Sequence, residues 1–177
     1  MTDAARRWNL AESLRVDADR ATLYGLVSDL RNMGRWSPEC RGVWVRRPPV
    51  RPGTRFVGFN RRGPFLWFTT GRVTTARPGE AFVFEVGVFG LPIARWGYRF
   101  EDAEEHPGEE NPGGGTLVTE TWEDLRTGRG AGLATLLGTV FAGTNTERRI
   151  AVNRHGMRTT LERLARTATA AAAGTAG

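Results

Sequence analysis

The feature that most constrains this chain is a long run of alternating apolar and polar residues that only short turns interrupt. In residues 81–88 every second position from Phe82 is Phe or Val, and residues 94–101 repeat the pattern with aromatic side chains. A period of two is that of a β-strand with one buried face. Because no helical segment separates these strands, they must pair as an antiparallel meander, which excludes a sheet built from βαβ units.

Turn signals rich in Gly and Pro divide this region into strands. Six are predicted, at residues 43–46, 54–61, 65–75, 81–88, 94–101 and 116–125, and a further short strand is predicted at residues 14–17. The segment 102–115 is acidic and rich in Gly and Pro, and we expect it to form a long flexible hairpin loop.

Helical patterns lie on both sides of the strands. Asp19 is the expected N-cap of a helix that runs through Leu30, and residues 32–40 continue as a short helix or turn. A final helix is predicted from about residue 146 to 167, because Ile150, Met157 and Leu164 fall on one line of its surface.

The more apolar phase of each strand is assigned to the inside of the sheet. The inward set is Phe65, Trp67, Thr69, Val73, Phe82, Phe84, Val86, Trp96, Tyr98, Phe100, Val118, Glu120 and Trp122. The opposite phase carries Arg72, Glu85, Arg95, Arg99 and Glu101, which suits solvent. Aromatic side chains of this kind fill a core more often than they line a pocket, so both interpretations stay open.

Glu120 is the polar exception within the inward set. If the 102–115 loop closes symmetrically, Asp102 pairs with Thr116 and Tyr98 lies opposite Glu120, within hydrogen-bonding reach. A buried carboxyl group without a positive partner has a raised pKa and can donate or accept a proton. The alternative is an ordinary ion pair with an arginine of the last helix, such as Arg154, or a side chain that reaches solvent.

Composition excludes several classes of function. All 25 basic residues are arginine, so neither a lysine Schiff base nor a phosphate-binding loop with Gly-Lys-Ser/Thr is possible. The single cysteine, Cys40, forms no disulfide within the chain and is interpreted as a small buried apolar residue. We expect no metal, no cofactor and, since the arginines look scattered, no nucleic-acid partner. No targeting segment or membrane-spanning stretch is visible, which predicts a cytoplasmic protein without stable membrane insertion.

Several short motifs occur in a characteristic order. They are LVSDL at 26–30, NMGRWSPE at 32–39, RV at 72–73 followed by PG at 78–79, WGYRFE at 96–101 and TLVTETW at 116–122. In this order they resemble the polyketide cyclase/dehydrase and lipid-transport branch of the START/Bet v 1-like (SRPBCC) superfamily.

This resemblance implies an α+β helix-grip fold. A curved antiparallel sheet of about six to seven strands would wrap a long C-terminal helix, with two short helices after the first strand. We assign residues 12–167 to this domain, 1–11 to an N-terminal extension and 168–177 to a disordered tail. The short helical segment with Met33, Trp36, Glu39 and Cys40 is expected near the cavity mouth.

The resemblance also implies a function class. Members bind hydrophobic small molecules or lipids, and a minority catalyse cyclisation or dehydration. The predicted ligand-binding residues are Trp36, Asn60, Trp67, Thr69, Phe82, Phe84, Trp96, Tyr98, Phe100, Val118, Glu120, Trp122 and Met157.

Three hypotheses follow from this set. The first is binding, or transport, of a hydrophobic ligand or lipid without catalysis. The second is a cyclase or dehydratase that uses Glu120 and Tyr98 as acid and base. The third is a protein-interaction module with a filled core and an apolar patch around residues 133–141. Residues 128–143 are either a lid or an ordinary covering turn. The ligand and the oligomeric state do not follow from the sequence.

Overall fold

Seven antiparallel strands form one curved sheet in the computed structural model, which describes residues 9–103, 115–126 and 146–175. The strands are β1 (Asn9–Val16), β2 (Cys40–Val45), β3 (Arg55–Arg62), β4 (Phe65–Arg77), β5 (Ala81–Val88), β6 (Leu91–Asp102) and β7 (Thr116–Asp124). Their order across the sheet is β1-β7-β6-β5-β4-β3-β2. The helices are α1 (Arg20–Ser28), α2 (Met33–Trp36) and α3 (Thr146–Thr175), with a 3-10 turn at Leu30–Asn32. This arrangement confirms the predicted α+β helix-grip architecture.

Each predicted strand is present, and the first differs most from its prediction. β1 begins at Asn9, inside the segment assigned to an N-terminal extension, and pairs with β7 along its full length. The apolar alternation of β1 is not evident in the sequence, because Glu12 lies on the same face of the strand as Leu10 and Leu14. Arg154 and Arg158 of α3 bind this carboxylate at 3.5 and 2.9 Å, so an acidic residue is tolerated on the helix-facing side of the sheet.

The short helices begin where their sequence signals predict. Asp19 caps α1, and its carboxylate accepts a hydrogen bond from the Thr22 backbone N–H at 2.8 Å. Leu23 and Val27 of this helix are fully buried. The ring of Tyr24 packs edge-on against Phe82 and Phe100, with ring centroids 6.3 and 6.1 Å apart. α1 therefore closes one end of the concave face with aromatic packing.

The long helix α3 packs against β1, β7, α1 and α2. Its buried stripe contains Met157, Leu161, Leu164 and Ala168. The helix continues to Thr175 instead of ending at residue 167, and Ala168 is fully buried in the main core. An Ala/Thr composition favours helix over a frayed tail when the first residues of the segment still have a core to contact. No helix in the described part of the chain is both long and apolar enough to cross a membrane.

The hairpin between β5 and β6 turns at Phe89 and Gly90, which have φ angles of +51° and +80°. Positive φ at both central residues is the geometry of a type I′ turn, which favours Asn or Gly at the first position. This backbone conformation is unfavourable for Phe89, because a side chain with a Cβ atom rarely adopts positive φ. The Phe89 side chain is exposed.

We therefore expect Phe89→Asn to raise the free energy of unfolding by about 0.5–1 kcal/mol, because Asn adopts positive φ more readily than Phe. Urea unfolding followed by circular dichroism measures this change. Phe68→Asn is the matched control, since Phe68 is an exposed phenylalanine in regular strand and Asn has a poor strand propensity. A stability gain in the control and none in the turn variant would contradict the explanation.

Candidate functional site

A cavity of about 940 Å³ lies between the concave face of the sheet and α3. Its wall comes from the α2–β2 connection, from strands β2 to β7 with the β5–β6 turn, and from α3. This volume is at the upper end of the range of small-molecule sites. The predicted residues that line it are Asn60, Trp67, Thr69, Phe84, Trp96, Tyr98, Glu120, Trp122 and Met157.

Four other predicted ligand contacts lie elsewhere. Trp36, Phe82, Phe100 and Val118 are all buried in the main core and are not among the described residues that line the cavity. Phe82, Phe100 and Val118 have the predicted inward orientation, but α1 and α2, which carries Trp36, cover that end of the sheet. Strand alternation gives the face that a side chain occupies, whereas its distance from a helix packed across that face depends on tertiary structure.

The register of β6 and β7 brings the two candidate catalytic residues together. Asp102 pairs with Thr116, Tyr98 with Glu120 and Trp96 with Trp122, which confirms the predicted pairing. The Tyr98 hydroxyl donates a hydrogen bond of 2.8 Å to Oε1 of Glu120, and both side chains are buried. Glu120 Oε2 is buried as well and has no hydrogen-bond partner among the described residues. One oxygen of the carboxyl group is therefore held by Tyr98, and the other has no partner among the described residues.

Burial raises the pKa of Glu120 to about 8, and the hydrogen bond from Tyr98 opposes this rise. The Tyr98 hydroxyl has a pKa well above its usual value, because of burial and then the adjacent carboxyl group. The ion pair considered for Glu120 does not form, since Arg154 binds Glu12 instead. Glu120 is therefore mostly a neutral acid near pH 7, able to donate a hydrogen bond or a proton into the cavity.

Two polar side chains on α3 and β3 also face the cavity. Asn153 is buried, and its Nδ2 has no partner in the described part of the chain. Sequence reasoning missed it, although it lies four residues before Met157 on the same helical face. On the sheet, Nδ2 of Asn60 lies 3.5 Å from Oγ1 of Thr69. Most of the cavity surface is nevertheless apolar or aromatic.

An ion-paired cluster lies at another part of the cavity wall. Arg149 of α3 binds both carboxylate oxygens of Glu39, at 2.6 and 3.2 Å, and Arg62 approaches the same carboxylate at 3.8 Å. The Arg149 guanidinium also lies 5.9 Å from the ring centroid of Trp67. These contacts join α3, the α2–β2 connection and β4. Only Glu39 and Trp67 were expected here, since nothing in the helical pattern marks Arg149.

The remaining nucleophile and metal candidates do not form a second site. Cys40 is buried, and burial raises the pKa of its thiol, as expected for an unreactive cysteine. Within residues 9–103, 115–126 and 146–175 no three His, Cys, Asp or Glu side chains are grouped to hold a metal ion. His106 and the 128–143 segment proposed as a lid lie outside the described residues.

The raised pKa of Glu120 predicts a distinctive pH dependence of stability. Below pH 4.5 the carboxyl is protonated in both states, whereas between pH 4.5 and about 8 only the unfolded chain releases the proton. The free energy of unfolding therefore falls through this window, by roughly 1.4 kcal/mol per pH unit for one proton. Glu120→Gln removes this titration, so its stability relative to the native protein should increase from pH 5 to pH 8. Urea unfolding of both proteins across this range measures the difference, and a pH-independent difference would show that Glu120 titrates normally.

Comparisons with known proteins agree with this fold. The family model for polyketide cyclase / dehydrase and lipid transport matches residues 7–169. No curated protein matches the sequence. The solution structure of the Polyketide_cyc-like protein Cgl2372 from Corynebacterium glutamicum is 27% identical, with a TM-score of 0.55 and 92% of each chain covered.

Two further solved structures share the fold at low sequence identity. The Zhui aromatase/cyclase from Streptomyces sp. R1128 is 12% identical, with a TM-score of 0.66 and 93% of this chain and 94% of that chain covered. The di-domain ARO/CYC StfQ from the steffimycin biosynthetic pathway is 11% identical, with a TM-score of 0.67. The match covers 94% of this chain and 52% of StfQ. Because the family model spans nearly the whole sequence, the chain belongs to the polyketide cyclase/dehydrase and lipid transport family.

Proposed function

We propose that this protein binds a hydrophobic small molecule in the cavity and anchors a polar group of that molecule on Glu120. The observation that carries the proposal is Oε2 of Glu120, which is buried in the cavity wall and has no hydrogen-bond partner among the described residues. Leaving a buried polar atom without a partner costs about 1–3 kcal/mol, and a ligand that supplies the partner removes this cost.

The protonation state of Glu120 narrows the class of ligand. A neutral carboxyl group donates a hydrogen bond from one oxygen, so the best complement is a carbonyl or another uncharged acceptor on the ligand. An anionic group at this position would face the carboxyl of Glu120, to which the described residues supply no ion-pair partner. Trp67, Trp96 and Trp122 offer flat apolar surfaces, which suit an aromatic or polyunsaturated ligand body.

A steric block tests the binding proposal. Thr69 lines the cavity, whereas the next residue, Thr70, is exposed on the opposite face of β4. We expect Thr69→Trp to remove a hydrophobic ligand that co-purifies with the native protein, because the indole fills the site. Thr70→Trp is the matched control and should keep the ligand. Native mass spectrometry after gentle desalting, followed by solvent extraction, measures occupancy, and equal occupancy in the two variants would place the ligand elsewhere.

Catalysis is the second candidate function, favoured by the Tyr98–Glu120 hydrogen bond. In an intramolecular aldol reaction, an enol carbon of the substrate attacks a carbonyl carbon. Neutral Glu120 donates its proton to that carbonyl oxygen, and the enol O–H then returns a proton to the carboxylate. Tyr98 holds Glu120 in place and stabilises its ionised form by donating to Oε1. The Zhui aromatase/cyclase and the di-domain ARO/CYC StfQ share this fold, which supports such chemistry as a candidate.

Glu120→Gln separates binding from catalysis. Gln keeps a hydrogen-bond donor in the same place but transfers no proton, so we expect ligand affinity to change by less than about threefold. If the protein is a cyclase, turnover of a linear β-polyketone probe should fall about 10²–10⁴-fold, measured by absorbance of the cyclised product. Tyr98→Phe should lower turnover less, because Glu120 remains. Turnover unchanged in both variants would reject catalysis and leave the binding proposal intact.

The interaction-module hypothesis needs a filled core, and a cavity of about 940 Å³ argues against it. The apolar patch expected near residues 133–141 lies outside the described residues. A cytoplasmic location stays a prediction.

A further inference from the structure

The face of the sheet that points away from the cavity has an unusual composition over β2, β3 and β4. Trp44, Phe59, Leu66 and Phe68 on these strands and Phe89 in the β5–β6 turn are between 44% and 67% exposed. We call these five residues the outer apolar patch. Large exposed aromatic side chains are normal when scattered, but a continuous group of them indicates an interaction surface.

The pairing register shows that the patch is continuous. Phe59 and Phe68 are direct cross-strand partners, and the ring of Phe68 packs edge-on against Phe89 at a centroid distance of 5.9 Å. Trp44 pairs with Val57, two residues from Phe59, and Leu66 lies two residues from Phe68 on the same face. The five side chains therefore adjoin one another across three strands and a turn.

Arginines flank this patch. Glu85 of β5 is the cross-strand neighbour of Arg72, but its carboxylate binds Arg95. Nine of the 25 arginines and none of the 19 acidic residues lie between Glu39 and Glu80, so the rest of the chain has more acidic residues than arginines. Arginines in excess of acidic residues are thus concentrated between Glu39 and Glu80, and the expectation that they are scattered along the chain is wrong. On the patch face, Arg55 pairs with Arg72 and Arg61 pairs with Leu66. Neither Arg55 nor Arg72 has an ion-pair partner in the described part of the chain.

The other half of the same face is an ordinary solvent-facing surface. Arg95 of β6 is ion-paired with Glu85 of β5 and Glu123 of β7. On β1 and β7, the hydroxyls of Ser13 and Thr119 are hydrogen-bonded at 2.8 Å. One half of the face thus carries ion-paired charges and hydroxyl groups. The other half carries exposed aromatic rings together with Arg55 and Arg72, which have no ion-pair partner in the described part of the chain. This difference distinguishes the patch from the rest of the sheet.

The patch also meets the cavity. Leu66, Phe68 and Phe89 line the cavity and are exposed on its outside. An apolar surface is thus continuous from the outer face to the cavity interior at the ends of β4 and β5. Phe89 belongs to this connection although its backbone conformation disfavours a phenylalanine.

We propose that the outer apolar patch docks this protein onto the surface of an anionic lipid bilayer. Aromatic side chains occupy the headgroup region of a membrane favourably, and arginines beside them bind lipid phosphates. Shallow docking of this kind needs no spanning helix. A bilayer fits better than a nucleic acid, because the patch includes Leu66 and is continuous with an apolar cavity. The docking goes beyond the proposed function and does not depend on whether the cavity is occupied.

Co-sedimentation with vesicles tests the proposal. One set of vesicles is phosphatidylcholine, and the other is an equal mixture of phosphatidylcholine and phosphatidylglycerol. We expect the native protein to sediment with the mixed vesicles and at least about tenfold more weakly with phosphatidylcholine alone. Binding to the mixed vesicles should weaken as salt is added. Sedimentation with neither set, or equally with both, would overturn the proposal.

Variants of the patch identify the docking surface. The double variant Phe59→Ser, Phe68→Ser and the double variant Arg55→Gln, Arg72→Gln should each lower vesicle affinity about tenfold or more. Arg99→Gln, on the other half of the same face, is the control and should bind like the native protein. Phe89→Asn should also weaken binding while making the fold more stable, so its loss of affinity cannot come from unfolding.

Three further outcomes would overturn the assignment. They are patch variants that keep native vesicle affinity, a dimer in analytical ultracentrifugation that the patch variants abolish, and binding of single-stranded RNA in preference to mixed vesicles. Thr69→Trp should retain vesicle binding, so failure of the cavity proposal and failure of the docking proposal give different results.

Discussion

The chemistry of the cavity depends on one buried hydrogen bond, from the Tyr98 hydroxyl to the carboxyl group of Glu120. Both residues lie in the middle of paired strands, where the backbone ladder fixes their positions. A carboxyl group in this position is costly to ionise, because it is buried and no arginine in the described part of the chain forms an ion pair with it. The fold therefore holds a neutral acid at the cavity wall, with one oxygen bound by Tyr98 and the other without a partner among the described residues.

The cavity exists because the two ends of the concave face are packed differently. At one end, α1 places Leu23, Tyr24 and Val27 against the strands, and the aromatic residues there form a filled core. At the other end, α3 crosses the sheet with Asn153 and Met157 toward the strands, and a volume of about 940 Å³ remains. The Arg149–Glu39 ion pair joins α3 to the α2–β2 connection beside this volume.

Much of this architecture could be predicted from the sequence, because strand alternation and turn chemistry are local signals. The Tyr98–Glu120 pairing followed from a symmetric closure of the 102–115 loop, and the register confirms it. The position of α1 over the sheet depends on tertiary packing. The sequence pattern alone therefore could not show that Phe84 and Trp96 line the cavity whereas Phe82 and Phe100 do not. β1 was predicted too short because Glu12 interrupts its apolar phase, and only its partners on α3 explain that residue.

Site residues on α3 were the hardest to predict. Asn153 shares the face of Met157, but a polar residue in an apolar stripe gives no indication of its burial. Arg149 is one of many arginines, and its pairing with Glu39 joins residues that are distant in the chain. The concentration of arginines between Glu39 and Glu80 could have been found by counting, yet its placement beside the outer apolar patch needs the strand register.

The most direct test of the central claim is the pKa of Glu120 in the folded, ligand-free protein. Carbon NMR of the side-chain carboxyl, with the signal assigned by its loss in Glu120→Gln, follows this titration without unfolding the chain. We predict a midpoint near pH 8, with a neutral carboxyl at pH 7. A midpoint near the ordinary glutamate value of about 4.3 would show an ionised, solvated side chain and would contradict both the anchoring and the acid role of Glu120.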